Sequence, residues 1–206
     1  MKDWKRLFDI CPVVKASPND KTVRITAMAH LKVSMDCKQH MEEQLMHTGE
    51  YILLRGKTDG SYSGLLGEVD IVPVHAIDEQ AINELYRSVP EKHRENAVFL
   101  MNAVTLHELY RVLRDGSGNL MTSSNEDGFM LMNTPVVLCG AMPCISAGSV
   151  PILYGDFSSV CIEDAGRDEL QQEPRSGYDD ENVCSMTGYM NCKLMDRQAV
   201  KGLKMI

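Results

Sequence analysis

Hydrophobic and polar residues change period several times along the chain. Over residues 22–29 they alternate: Val23, Ile25 and Ala27 are interleaved with Arg24 and Thr26. A second β-like run covers 10–16, and Ser17-Pro18-Asn19-Asp20 between the two places Pro and Asn where turns use them. The pattern predicts a β-hairpin. From Ser34 to Arg55 the period lengthens. Cys37, Met41, Leu45 and Ile52 fall near one helical face, and Glu42, Glu43 and Glu50 near the other. This predicts one long amphipathic helix, capped by Ser34 or Asp36, interrupted at Gly49 and stopped by Gly56.

Residues 56–67 read as a glycine-rich loop. A second helix is predicted over 78–89, with Ile77, Ala81, Ile82, Leu85 and Tyr86 on one side and Pro90 at its end. An apolar strand at 97–101 leads to a helix over about 106–114, where Thr105 and Glu108 have capping-box spacing. Beyond that, short β-like runs dominate: 135–139, 150–154, 158–163, 183–192 and 200–205. Residues 163–181 are polar and charged, with Pro174 and Gly177, and read as an exposed loop or hairpin tip. Strands and helices mix without regular βαβ alternation, so the fold class is α+β.

The uncharged stretch from Gly128 to Gly155 is long enough to span a bilayer. Pro135, Pro143 and Pro151 interrupt it, and each costs a helix interior about 3 kcal/mol. Buried strands joined by turns fit it better than a membrane helix. The start of the chain is basic but carries Asp3 and Asp9 and no apolar core, so no signal peptide is expected.

Composition narrows the classes. The chain has 206 residues, 44% of them hydrophobic, which suits a globular protein with one sizeable core or two small ones. Lys and Arg number 21 against 29 Asp and Glu, a net charge of −8 without a basic cluster. Sequence-independent nucleic-acid binding by counterion release is therefore not expected. Seven cysteines, an odd count without CxxC spacing, sit partly in apolar runs and read as reduced core residues.

The chemistry-bearing patterns are incomplete. Gly56-Lys57-Thr58 resembles the end of a phosphate loop, but position 51 is Tyr where the first Gly belongs. Asp115, Ser117, Asn119 and Glu126 match positions of a calcium loop, yet Leu120 stands where the sharp turn requires Gly. A polar turn accounts for the same residues. Cys37, His40 and His47 match no zinc spacing. Asp156 follows a Gly at the end of an apolar run and reads as a turn residue. No catalytic, cofactor-binding or metal-binding residue is assigned, and no enzyme or cofactor is expected.

The order of motifs is more informative than any one of them. Phe99-Leu100-Met101-Asn102 precedes a helix, and Arg114-Asp115-Gly116-Ser117-Gly118 follows it. Then come Thr134-Pro135-Val136-Val137, Met142-Pro143 and Tyr154-Gly155-Asp156-Phe157, with Gly64-Leu65-Leu66 upstream. This succession resembles the tailed-bacteriophage major capsid protein family of the Hong Kong 97 type, over about 34–206 and best from Ala97 onward.

The resemblance implies an α+β capsid fold with peripheral and axial domains. Residues 1–33 would form a short N-terminal hairpin, a reduced extended loop. Residues 34–67 and 149–193 would form the peripheral domain, with 34–55 as its spine helix, 150–162 and 183–193 as its long strands, and 163–182 as its exposed tip. Residues 68–148 and 194–206 would form the axial domain. The family's N-terminal arm has no counterpart here and the spine helix is abbreviated, so a trimmed or degenerate copy is one expectation and a minimal shell protein another.

The implied function is structural: a subunit of a phage or prophage capsid that assembles in the bacterial host cytoplasm into an icosahedral shell around DNA. Its partners would be other copies, in hexamers, pentamers and shell, with packaged DNA touched only non-specifically and no membrane. An encapsulin-like nanocompartment shell is the alternative, and a small cytosolic enzyme near Asp156 a third reading. The assembly residues would be Glu163 to Glu181 and the loop from Gly116 to Glu126. Deleting 165–180 is expected to leave a folded subunit that no longer assembles.

Overall fold

A computed structural model describes residues 7–32, 35–115, 122–125, 128–178 and 180–206. Two sheets make its frame. The first is built on one long strand, β11 (Glu181–Leu194). Strand β2 (Val23–Lys32) runs antiparallel along one side of it. On the other side stand β9 (Val160–Arg167) and, end to end with it, β10 (Gln171–Pro174). Strand β1 (Val13–Lys15) lies parallel beside β9.

The second sheet has seven strands in the order β3-β12-β8-β4-β7-β6-β5. Their ranges are β3 (Asp70–Val74), β4 (Val98–Met101), β5 (Thr122–Asn125), β6 (Gly128–Leu131), β7 (Thr134–Leu138), β8 (Ile152–Gly155) and β12 (Val200–Met205). The pairs β3–β12 and β4–β7 are parallel and the others antiparallel.

Helix α2 (Cys37–Arg55) lies across the first sheet. It starts where the Asp36 carboxylate accepts the amides of Lys38 and Gln39, at 3.1 and 3.2 Å, and it stops at Gly56, whose φ of 84° ends the helix. Met41, Leu45, Leu53 and Leu54 are fully buried against Ile25, Ala27, Met186 and Met190. Each such side chain contributes about 1.5–3 kcal/mol by leaving water. The approach is close: a Cβ on Gly188 would stand 2.9 Å from Leu45 Cδ2, and one on Gly49 stands 3.2 Å from Met190 Sδ. Gly49 lies within an unbroken helix and provides room for the strand, so the expected interruption there is absent.

A second core covers the other sheet. Helices α4 (Glu79–Ser88) and α5 (Ala103–Asp115) bury Ile82, Leu85, Leu106 and Leu109 against Phe99, Met101, Ile152, Tyr154 and Leu203. The alternate residues Leu100, Leu153 and Val200 point into the first core. Strands β4 and β8 are thus buried on both faces, which explains their continuous apolar runs.

Several expectations change. The hairpin over 10–29 does not form, although its turn does, with the Thr22 amide on the Asn19 carbonyl at 3.0 Å. Lys15 pairs with Asp164, Asp164 with Met190 and Met190 with Val23, so two strands separate β1 from β2. Strand β2 gains ten paired positions on β11, whereas β1 has three residues to offer. Glu50 is buried, not solvated: a short helix α1 (Leu7–Ile10) packs beside it and the Leu7 amide donates to its carboxylate. The loop at 56–67 contains helix α3 (Gly64–Glu68), and β3 follows, an element with little periodic signal. Helix α5 starts at Ala103, not near 106, because Asn102 is its cap. Finally, 150–162 is not one strand: β8 belongs to the seven-stranded sheet and β9 to the other.

Two measurements follow from this packing. Gly188→Val lowers unfolding free energy by about 1–3 kcal/mol through overpacking against Leu45. Leu45→Ala alone costs about 2–5 kcal/mol, and in the double variant part of the Gly188→Val penalty disappears. Urea denaturation of the four proteins gives this coupling, and strict additivity would contradict it.

Cys11, Cys139, Cys184 and Cys192 are buried and free. Burial pushes Cys139 and Cys192 up to about 12, Cys184 up to about 11, and Cys11 also upward. Thiolates are the reactive form, so alkylation at mildly alkaline pH should label the exposed Cys144 and spare these four until denaturant is added, as read by mass spectrometry. The folded state holds these thiols protonated above their ordinary value of 9.0. Their contribution to stability is therefore complete below that pH and is lost as pH climbs towards the folded values.

Candidate assembly surfaces

The chain passes between the sheets three times, once through α2 and α3 to β3 and twice more at adjacent places. Strand β8 ends at Gly155, with φ 148°, where a Cβ would stand 2.0 Å from the Ala199 carbonyl oxygen. The Asp156 amide donates to that same oxygen at 2.9 Å. The Asp156 carboxylate accepts the Ser158 amide at 3.0 Å and caps a 3-10 turn, Phe157–Ser159, that delivers β9 to the first sheet. The return runs from Leu194 to Val200. Asp156 is thus a turn residue, and Gly-Asp-Phe is the crossing between layers.

A second junction ties the layers through the 139–143 loop. Asn102 is buried; its Oδ1 accepts the Thr105 amide at 2.7 Å, which caps α5, and its Nδ2 donates to the Met142 carbonyl at 3.0 Å. Thr105, expected as the cap, lies inside the helix. At the end of α2 the Arg55 Nε donates to the Ala141 carbonyl at 2.6 Å, and its guanidinium lies 4.6 Å from the Tyr51 ring centre. Beside this junction opens a cleft of about 520 Å³ with Arg55, Ser63, Ser149 and Lys204 in its lining and Leu66 and Ile71 among its apolar walls.

Residues 163–178 and 180–181 form an ordered projection. The Asp168 amide donates to the Thr187 carbonyl at 2.8 Å, and β10 then pairs with 182–185 of β11. All four residues of β10 are exposed. The Arg175 guanidinium lies 3.8 Å from the ring centre of Tyr178, itself half exposed, and pairs with the Glu181 carboxylate. Glu163 is held below the usual carboxylate range by hydrogen bonds from Lys193 and Asn191.

The projection is also part of the sheet. Asp164 stands opposite Met190, while Glu181 stands opposite Lys32 at the far end of β11. Joining 164 to 181 would have to bridge nine strand positions, about 30 Å. Deleting 165–180 therefore pulls β11 off its partners, contrary to expectation. Residues 116–121 and 126–127 of the other expected contact loop lie outside the described residues, as does most of the calcium-loop pattern.

The remaining patterns are not brought together. Cys37 is buried in the core while His47 is exposed on α2, and no group of three His, Cys, Asp or Glu is placed to hold a metal among the described residues. The Gly56 amide donates to Ile52 and the Lys57 amide to Tyr62, both at 2.8 Å, so these groups close a loop instead of facing a phosphate.

A model of the phage capsid family matches residues 38–205, and the chain belongs to that family: it is a structural capsid subunit of the Hong Kong 97-type fold. The capsid of an empty GTA particle is similar over all of this chain and 91% of its own, at 17% identity and a TM-score of 0.73. The SrpI encapsulin of Synechococcus elongatus is similar over 89% of this chain and 73% of its own, at 12% identity and a TM-score of 0.63. Gordonia phage Cozz gives 90% and 70% coverage, 11% identity and a TM-score of 0.58. At these identities the likeness concerns the fold alone. No curated protein matches in the sequence comparison.

Asn102→Ala should cost about 2 kcal/mol in urea denaturation, about half from the lost cap and half from the lost donor to Met142. A change under about 0.5 kcal/mol would show that Asn102 does not join the layers.

Proposed function

We propose that the chain works as a shell tile. Copies meet edge to edge in pentamers and hexamers and close into an icosahedral shell around DNA, assembled in the cytoplasm of a bacterial host. In this reading the first sheet with α2 and α3 is the peripheral part, its tip at 163–181. The seven-stranded sheet with α4 and α5, including β8, is the axial part. The rim does the work and no residue is catalytic. The net charge of −8 suits a wall that contains DNA without adhering to it.

The observation that carries this reading is the tip. A polar strand exposed at every position, with Glu173 in it, and a turn stiffened by the Arg175–Tyr178 stack form a preorganised contact surface. Each contact of this kind is weak, and many per subunit at high local concentration make a stable shell. A shell around protein cargo is the second reading, supported by the likeness to the encapsulin.

Negative-stain microscopy and light scattering of the concentrated protein should show closed particles. A chain that stays monomeric at every concentration would overturn the reading. Nucleic acid inside particles made in the host supports the first reading, and a co-purifying protein the second. Tyr178→Ser, at an exposed site, should change stability by no more than about 0.5 kcal/mol and reduce particle yield.

A further inference from the structure

Among the described residues the five-stranded sheet ends on both sides in an open edge. Strand β2 is ten residues long, and among the described residues its only ladder is with β11. Its other edge presents a row of backbone donors and acceptors, a template for a strand from another chain. The solvent-facing side chains along it include Arg24, His30 and Lys32, all exposed. Neither Arg24 nor Lys32 makes an ion pair among the described residues.

On the opposite side of β11 lies β10, likewise paired with β11 alone among the described residues. Its charge is of the other sign: Glu173 lies in the strand and Asp168 and Glu169 lead into it, all exposed. Glu169 and Glu173 have no cationic partner among the described residues.

We propose that the free edge of β2 in one copy pairs with the free edge of β10 in the next, so that the sheet continues from subunit to subunit. The occupant is a second copy because one sheet carries both complementary edges. Pairing β2 with β2 would bring like charges together, which destabilises opposed strands. Pairing β2 with β10 sets cations against carboxylates and is head-to-tail, the kind of contact that propagates into rings. Main-chain bonds supply the attachment and the charges its direction. The inference rests on the shell reading and names one of its seams.

The test is a charge exchange at exposed positions. Arg24→Glu with Lys32→Glu should leave a folded subunit by circular dichroism that no longer forms particles. Adding Glu169→Lys and Glu173→Lys to the same chain should restore them. Hydrogen exchange on the wild type should show amides of β2 that are open in the dissociated subunit becoming protected in particles. Wild-type particles that tolerate Arg24→Glu with Lys32→Glu, or gain no protection in β2, would overturn the pairing and leave the shell reading standing. A wild-type chain that never assembles would overturn both.

Discussion

The seating of α2 on β11 is the constraint from which the rest follows. A helix and a strand approach closely only where one of them lacks a side chain. Here the gaps are reciprocal: Leu45 of the helix fills the space over Gly188, and Met190 of the strand fills the space over Gly49. That contact sets the height of the helix above the sheet, and with it the positions of Met41, Leu53 and Leu54 in the first core. Strand β11 is itself paired along both sides for most of its length. A strand so placed fixes β2 on one side and the β9–β10 projection on the other.

The chain leaves the second layer at Gly155 for the first and returns before Val200, and the two passages are tied where the Asp156 amide of one donates to the Ala199 carbonyl of the other. The sheets could have become separate domains. They do not, because Leu100, Leu153 and Val200 extend the first core beneath the seven-stranded sheet. Asn102 and Arg55 then hold neighbouring carbonyls of one loop, from the start of α5 and the end of α2 respectively. Polar groups this well satisfied in a buried junction specify a single arrangement of the layers.

Much of this was legible residue by residue, and the failures have common causes. The helix over 37–55 and its Asp36 cap follow from period and capping chemistry, and Gly56 marks its end as read. Strands β4, β7, β9, β11 and β12 coincide closely with apolar runs. Periodicity says which face of a strand is buried but not which strand lies beside it, so the turn at 17–20 suggests a pair of β1 and β2 where the fold sets β9 and β11 between them. Strand β3 escaped because its short apolar run does not alternate and contains Pro73, a residue that strands accept at an edge such as this one. Glu50 misled because burial there depends on α1, forty residues away in sequence. The cap of α5 is Asn102 and not Thr105, and an Asn directly before the helix is the sequence signal for it. Of the two expected assembly segments, composition correctly marked 163–181 as exposed and charged, yet could not reveal that β10 is laddered into the sheet.

That last point bears on how a tile of this kind can function. A floppy tip would lose conformational entropy at each contact, and the loss would offset much of what the contact gains. Here the Thr187–Asp168 bond, the β10–β11 ladder and the Arg175–Glu181 pair order the tip before any partner arrives. Its orientation is then transmitted through β11 to α2, and through the two crossings to the seven-stranded sheet. Rim positions on both layers thus keep fixed relative places. Weak contacts add only when one body presents them together in the right geometry, and the shared core is what makes these two sheets one body.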